Sequence, residues 1–580
     1  MSVQPVRNRH WRRLLSLAPG LASLLDYRRA HLKDDLRAGL SVAAVALPVA
    51  VAYAELAGFH PVTGLYACIL PMIVYALFGT SRQLVVGPDA ATCALLAAAV
   101  APLAAGDEGL YLSLSLTLTL LMGLFCIGAG ILRLGALADF LSRPILVGFL
   151  NGVALSILLG QLGKIAGFTQ LTGGIVPRLL EFFERYADWH WPTLALSAVS
   201  ILVMLLSKRY LVKLPAALIT MVVAAVATAG LALSAQGVAT IGIIPSGLPK
   251  LHMPQFPLEL LPTLLADAAG LALVSFSSMM LTAQSFAEKN RYSIDTDREF
   301  VALGLANMAS SFSQGFAISG ADSRTAVADS SGGRSQLTSI FAALTIALVL
   351  LFFTAPLAYV PLAALGVVLV FGAMSLVNLR FLGLLYRISR VELALCLLAT
   401  VGVVVIGAIQ AILLMVVLAL LRFVHSMSRP LVEELGVVQG MRGFHALQRH
   451  ATGQRQPGML LFRFNAPLVF FNAQFFRREV HKLLDEVGPD LRWFVLDMLP
   501  VTSIDASGLM TMRDLLDELT ARGVTPVLAG RRSEWQRWHE ARGIEVSPHL
   551  LHFTTLREAQ RAFNAQFNAQ IERPGDVPGL

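Results

Sequence analysis

Apolar residues in this chain come in long runs, each about the 20 residues that a helix needs to cross a bilayer, and polar residues are confined to the short gaps between them. The runs predict spans near 38–56, 62–79, 88–104, 111–132, 137–163, 192–207 and 213–233, then near 262–287, 297–314, 321–331, 337–354, 358–377, 389–406 and 407–425. From Ser426 the pattern changes: charges become frequent, and short apolar runs alternate with amphipathic ones at soluble spacing. Gly458–Phe464 and Trp493–Met498 read as buried strands, while Ser507–Arg522 and Glu534–Arg542 read as helices, a small α/β layer fold.

Two runs are interrupted in a particular way. Val86-Gly-Pro-Asp-Ala-Ala-Thr92 opens the third span, and the polar stretch from Gly320 to Gly333, with Arg324 and several hydroxyls, holds the tenth. Irregular polar backbone at membrane depth is tolerated where it lines a water-filled cavity. Broken helices at matching places in the two halves of a membrane protein point to a midplane binding site, where each half-helix N-terminus offers free N–H groups to an anion. The broken span is third in each set of seven, and an odd number of spans inverts the second set relative to the first, so the half-helices are expected to meet head to head.

The 580 residues are 56% hydrophobic and 14% charged, against roughly 25% charged in an ordinary soluble domain. The expected division is a basic segment 1–35, a transmembrane domain 36–427 with repeats about 36–233 and 262–427, a linker 428–457, the α/β domain 458–565 and a polar tail 566–580. Arg7, Arg9, Arg12, Arg13, Arg28, Arg29 and Lys33, then Lys208, Arg209 and Lys213, then Arg380, Arg387 and Arg390 mark the loops that face the cytoplasm. With an even number of spans both termini are cytoplasmic, which suits a multi-pass protein of the cell membrane. The first 35 residues lack an apolar core, so no cleaved signal peptide is expected. The net charge of +8 calls for no nucleic-acid partner, and the four cysteines sit in apolar segments without metal-ligand spacing. No nucleotide-binding loop, metal cluster or nucleophile–base pattern is present, so neither an enzyme nor an ATP-driven pump is expected, and no cofactor.

Leu47-Pro-Val-Ala-Val-Ala-Tyr-Ala-Glu-Leu-Ala-Gly58, His60-Pro-Val-Thr-Gly-Leu-Tyr66, Gly79-Thr-Ser-Arg-Gln-Leu-Val-Val-Gly-Pro88, Ser142-Arg-Pro-Ile-Leu-Val-Gly-Phe-Leu-Asn-Gly152, Gln161-Leu162 and Ser323-Arg-Thr325 together resemble the sulfate permease (SulP) family, over about residues 30–565. Asp497, Ser503-Ile-Asp-Ala-Ser-Gly-Leu509 and Gly523-Val-Thr-Pro-Val-Leu-Ala-Gly530 resemble its STAS domain. The resemblance implies a seven-plus-seven inverted repeat, a core that moves against a gate, a cytoplasmic STAS domain and a homodimer. It makes the expected activity secondary transport of a small inorganic oxyanion, sulfate first, with bicarbonate or C4-dicarboxylates as rivals. A reading of another class is a membrane anion sensor or scaffold that signals to a cytoplasmic protein through the STAS domain.

Arg324 is the expected electrostatic anchor, because a guanidinium is always charged and presents a planar fork of donors. The alternative is a structural ion pair with Asp322 or Asp329. Ser323 adds a hydroxyl, and backbone N–H groups near Ala90, Ala91, Ser323 and Arg324 complete the cradle. Asp89 is read as a proton carrier, an internal counter-ion or a helix N-cap. By the resemblance Tyr53 lines the cavity wall. Ser278 stands where many family members carry an acidic residue in the eighth span, and Thr282 keeps a hydroxyl one turn on. Glu55 is a second proton-coupling candidate or a solvated residue near the helix end, and Asp267 is peripheral. In the STAS resemblance Ser507 is a phosphorylation candidate; read locally, it caps its helix together with Asp505.

Overall fold

The computed structural model describes residues 18–135, 142–169, 175–211, 214–254, 258–450, 452–530 and 550–571, which divide into a membrane unit up to Ala419 and a second unit from Leu420. Fourteen helices of the described residues take the places of the predicted spans. The first seven are α1 Leu32–Leu56, α2 Pro61–Phe78 (broken at 67–69), α3 Ala90–Ala104, α4 Glu108–Ile131, α5 Arg143–Ala166, α6 Trp191–Tyr210 and α7 Ala216–Gly230. The second seven are α8 Leu261–Lys289, α9 Thr296–Phe312, α10 Asp322–Ser330, α11 Leu337–Phe352, α12 Leu362–Leu376, α13 Arg390–Val405 and α14 Ala408–Ser428. With 15 and 9 residues, α3 and α10 are too short to cross a bilayer alone. Each follows a two-residue strand, β1 (Val86–Gly87) or β2 (Ser319–Gly320). Shorter amphipathic helices at Ile175–Glu184 and Leu379–Ile388 occupy stretches expected as loops.

Helix packing sorts the membrane unit into two bodies. One holds α1–α4 with α8–α11, the other α5–α7 with α12 and α13, while α14 touches α8 as well as α13; α1 against α7 and α12, and α3 against α5, form the seam. Lipid supplies no hydrophobic drive between helices, so close approach through small residues carries much of the association. In the first body Gly123 of α4 meets Gly304 of α9, and a Cβ on Gly123 would lie 2.7 Å from the Gly304 carbonyl oxygen. In the second body Gly148 and Gly152 of α5 admit α13, whose Thr400 hydroxyl donates to the Gly148 carbonyl at 2.9 Å.

The second unit carries strands β3 (Val432–Val438), β4 (Phe444–Ala446), β5 (Gly453–Gln454), β6 (Met459–Phe464), β7 (Trp493–Asp497), β8 (Thr525–Ala529) and β9 (Leu551–Phe553). They form one sheet in the order β4-β3-β6-β7-β8-β9, with β5 on β3. The β6–β9 ladders are parallel and β6, β7 and β8 are buried, as crossover helices demand; β3 joins antiparallel. Helices α15 (Ala473–Val487), α16 (Ala506–Ala521) and α17 (Leu556–Ile571) cover it. The sheet therefore begins inside the stretch expected as a linker at 428–457. Its charged Glu433 and Glu434 hid β3, yet both are almost fully buried, held by Arg449 at 2.9 Å and by Arg455. The helix expected at 534–542, the basic residues 7–13, Lys213 and the end of the polar tail lie outside the described residues.

Candidate functional site

The two breaks meet. β1 and β2 pair antiparallel, Val86 opposite Gly320 and Gly87 opposite Ser319, and the Ala321 N–H donates to the Val85 carbonyl at 2.9 Å. Helices α3 and α10 leave this crossing from opposite strands, which brings their N-termini to one place. The first N–H groups of each helix lack intrahelical acceptors, and those of Ala90, Ala91, Ser323 and Arg324 are among them.

Neighbouring helices fix the crossing on every side. Thr325 Oγ1 accepts from the Val85 N–H at 3.0 Å, and Ser319 donates to the Ser275 carbonyl on α8 at 2.8 Å. Asn307 of α9 both donates to the Ile318 carbonyl, at 3.1 Å, and accepts from its N–H, at 2.9 Å. Further back Glu299, wholly buried on α9, accepts from Tyr75 at 2.7 Å, from the Thr80 N–H and hydroxyl at 2.6 Å, and from the Ser81 N–H at 3.0 Å. Asp35, equally buried, holds Ser335 ahead of α11 and Thr338 in its first turn. Sequence reasoning missed both carboxylates, because each sits in a charged cluster at the start of its helix, Lys33-Asp34-Asp35 and Asp297-Arg298-Glu299, and reads there as solvated.

Arg324 is wholly buried. Its Nη2 donates to the Pro88 carbonyl of the other break, Nη1 lies 3.7 Å from Cys68 Sγ, and Nε has no partner. Among the described residues it has no ion-pair partner: Asp329 is taken by Lys289 at 2.6 Å and Asn290 at 2.9 Å, and Asp322 accepts from Thr282. The geometry thus departs from the structural ion pair weighed above. Gly87, at φ +152, makes room for the guanidinium, since a Cβ there would stand 2.6 Å from Nη1.

Asp89 is the N-cap of α3; its Oδ2 accepts from the N–H and hydroxyl of Thr92, each at 3.3 Å. Thr92 in turn reaches Ser275 Oγ at 2.9 Å. Asp322 and Ser323 are exposed although Arg324 and Thr325 behind them are buried, and Tyr53, Asp89 and Ser278 are half-buried, so these residues line a recess at the mouth of the crossing. Asp89, Asp322 and Arg324 lie within electrostatic reach of Tyr53, and Asp322 and Arg324 within reach of Asp89. Thr282 connects the recess to α8, its hydroxyl 3.4 Å from the Ser278 carbonyl. Tyr53 also faces the second body, where a Cβ on Gly372 of α12 would come 3.3 Å from its hydroxyl.

Glu55 does not join this group. Two residues beyond Tyr53 on α1, it points to the seam, where it pairs with Lys164 of α5 at 2.7 Å and is half-buried rather than solvated. Asp267 lies two turns into α8 and is no part of the crossing. In the second unit Ser507 is exposed in the first turn of α16, whose N-cap is Asp505, accepting from the Gly508 N–H at 2.8 Å; Asp497 holds Arg463 at 2.8 Å.

The comparisons with known proteins agree with this architecture. Residues 32–399 match the sulfate permease family and residues 451–559 the STAS domain. A probable sulfate transporter of Mycobacterium tuberculosis is 39% identical over 88% of this chain and 91% of its own length. Probable sulfate transporter 3.3 of Arabidopsis thaliana is 28% identical over 96% and 92%. The murine solute carrier 26 family member A9 anion transporter, solved in an inward-facing state, shares the fold with a TM-score of 0.87 at 22% identity, covering 97% of this chain and 96% of that one.

Proposed function

The chain belongs to the sulfate permease family, a family of transporters rather than enzymes, and we propose that this protein carries a small inorganic oxyanion, sulfate first, across the cell membrane by alternating access. The observation that carries the reading is Arg324: a buried guanidinium without a carboxylate partner, at the point where two half-helix N-termini converge, is unstable unless an anion visits it. Its unpartnered Nε and the free N–H groups of Ala90, Ala91 and Ser323 supply donors, and Ser323, Ser278 and Tyr53 supply hydroxyls at the rim. The crossing joins α3 and α10 into one body, so the site travels whole when the bodies slide along the seam.

Protons are the proposed coupling ion. The recess holds two carboxylates beside the arginine, and a dianion entering it meets their repulsion unless a proton arrives as well. A cytoplasmic face for both termini, supported by the distribution of basic loops, belongs to the same proposal, as do a homodimer and a cytoplasmic partner of the STAS domain, which rest on the family resemblance. Uptake of labelled sulfate into proteoliposomes, with and without an inward proton gradient, tests it. Gradient-stimulated uptake is expected; absence of uptake in both conditions overturns sulfate as the cargo and turns the assay to bicarbonate and dicarboxylates.

A further inference from the structure

The two carboxylates of the recess are not equivalent. Asp89 gives its Oδ2 to a backbone N–H and a hydroxyl of its own first turn. A backbone N–H cannot reverse its direction, so a proton on Asp89 must sit on Oδ1, which makes no hydrogen bond among the described residues, and the new O–H finds no protein acceptor there. Asp322, by contrast, caps nothing: the N-cap of α10 is Ala321, with no side-chain bond. Its partner is the Thr282 hydroxyl on α8, which can both donate and accept.

Thr282 also has a second acceptor in reach, the Ser278 carbonyl at 3.4 Å. With Asp322 ionised, the hydroxyl donates to the carboxylate. With Asp322 protonated, the hydroxyl turns its hydrogen to the Ser278 carbonyl and accepts the new O–H. Both protonation states are satisfied by rotating one hydroxyl, and no heavy atom moves. Exposure completes the device, because Asp322 opens to the recess and so can exchange its proton with water there.

Resting on the oxyanion-transport reading, we propose that Asp322, seated on Thr282, is the carboxylate that takes up and releases the coupled proton, while Asp89 stays ionised as the cap of α3. The charges facing Asp322 make the coupling work. Arg324 on its own helix contributes one positive charge, Asp89 one negative; Tyr53 of α1, Cys93 of α3 and Cys68 in the break of α2 complete the titratable groups around them, and Lys289 of α8 is committed to Asp329 at the far end of α10. With Asp322 ionised the protein part of the site is net negative; protonation brings it to neutral. Anion and proton therefore bind with mutual preference, and by linkage the loss of one loosens the other.

The test compares full-length variants in liposomes by the ratio of sulfate uptake with and without an inward proton gradient, alongside sulfate-dependent thermal stabilisation from acid to neutral pH. In Asp322→Asn the ratio is expected to fall to unity and the stabilisation to lose its pH dependence. Thr282→Val is expected to shift the pH dependence, and Thr282→Ser to restore it; Asp89→Asn is expected to keep a ratio above unity. A pH response that survives Asp322→Asn, or that vanishes in Asp89→Asn while persisting in Asp322→Asn, overturns the assignment. Wild-type sulfate uptake that ignores the gradient overturns the assignment alone. Wild-type protein that neither takes up nor is stabilised by sulfate at any pH overturns sulfate as the cargo, and the proton–sulfate assignment with it.

Discussion

The breaks ahead of α3 and α10 occupy the same topological place, pair with each other residue for residue, and each carries an aspartate, yet they spend it differently. The first spends its aspartate locally: Asp89 caps its own helix, Thr92 completes the cap, and proline fixes the approach. The second is closed at a distance, with Asp322 held by Thr282, Thr325 holding Val85, and Arg324 reaching back to Pro88. A locally closed break is a fixed wall. A break held by side chains of other helices can answer to what enters between them.

Removing what the breaks share has the largest expected effect. Arg324→Ala deletes the guanidinium that spans both and should reduce oxyanion uptake to the level of empty liposomes; retained uptake would remove Arg324 from the site. Next comes Gly87→Ala, which forces a Cβ against Nη1 and strains the backbone by about 1–3 kcal/mol, expected to lower uptake roughly tenfold or more while the second break stays intact. The caps then separate the breaks. Asp89→Ala should cost about 1 kcal/mol of thermal stability whereas Asp89→Asn, an equally good cap, should cost a few tenths; Asp322→Ala removes no cap, and a stability loss at 322 larger than that at 89 would reverse the comparison. The smallest effect is expected from Ser319→Ala, which removes one bond to the Ser275 carbonyl, about 1 kcal/mol or less, read as a shift in melting temperature with little change in uptake.

The spans were legible because burial in lipid writes itself as uninterrupted apolar runs. The third was expected at 88–104 and begins at Ala90, the tenth at 321–331 and begins at Asp322; both breaks were visible as polar residues where none should be. What joins the breaks left no such mark. The contact of Val85 with Thr325 crosses 240 residues, and a two-residue ladder has no periodicity. For the same reason the sequence marks Asp322 only as a possible partner for Arg324 and carries no sign of its bond to Thr282. In the STAS domain the parallel strands were legible as continuous hydrophobic runs, whereas β3 was not, because an antiparallel strand carrying two paired glutamates reads as linker.

The ion pair of Glu55 with Lys164 lies across the seam between the two bodies. If those bodies slide once per transported anion, this contact opens and closes at every turnover, so its strength enters the rate of the cycle rather than the stability of the fold. Both side chains remain partly exposed, 15% for Glu55 and 29% for Lys164, a setting in which such pairs contribute about 1 kcal/mol or less. Parting it would slow a crossing by about fivefold, a delay that salt in the medium can shorten by screening the charges. The speed of the carrier would then carry a trace of the ionic strength on the side of the membrane that Glu55 faces.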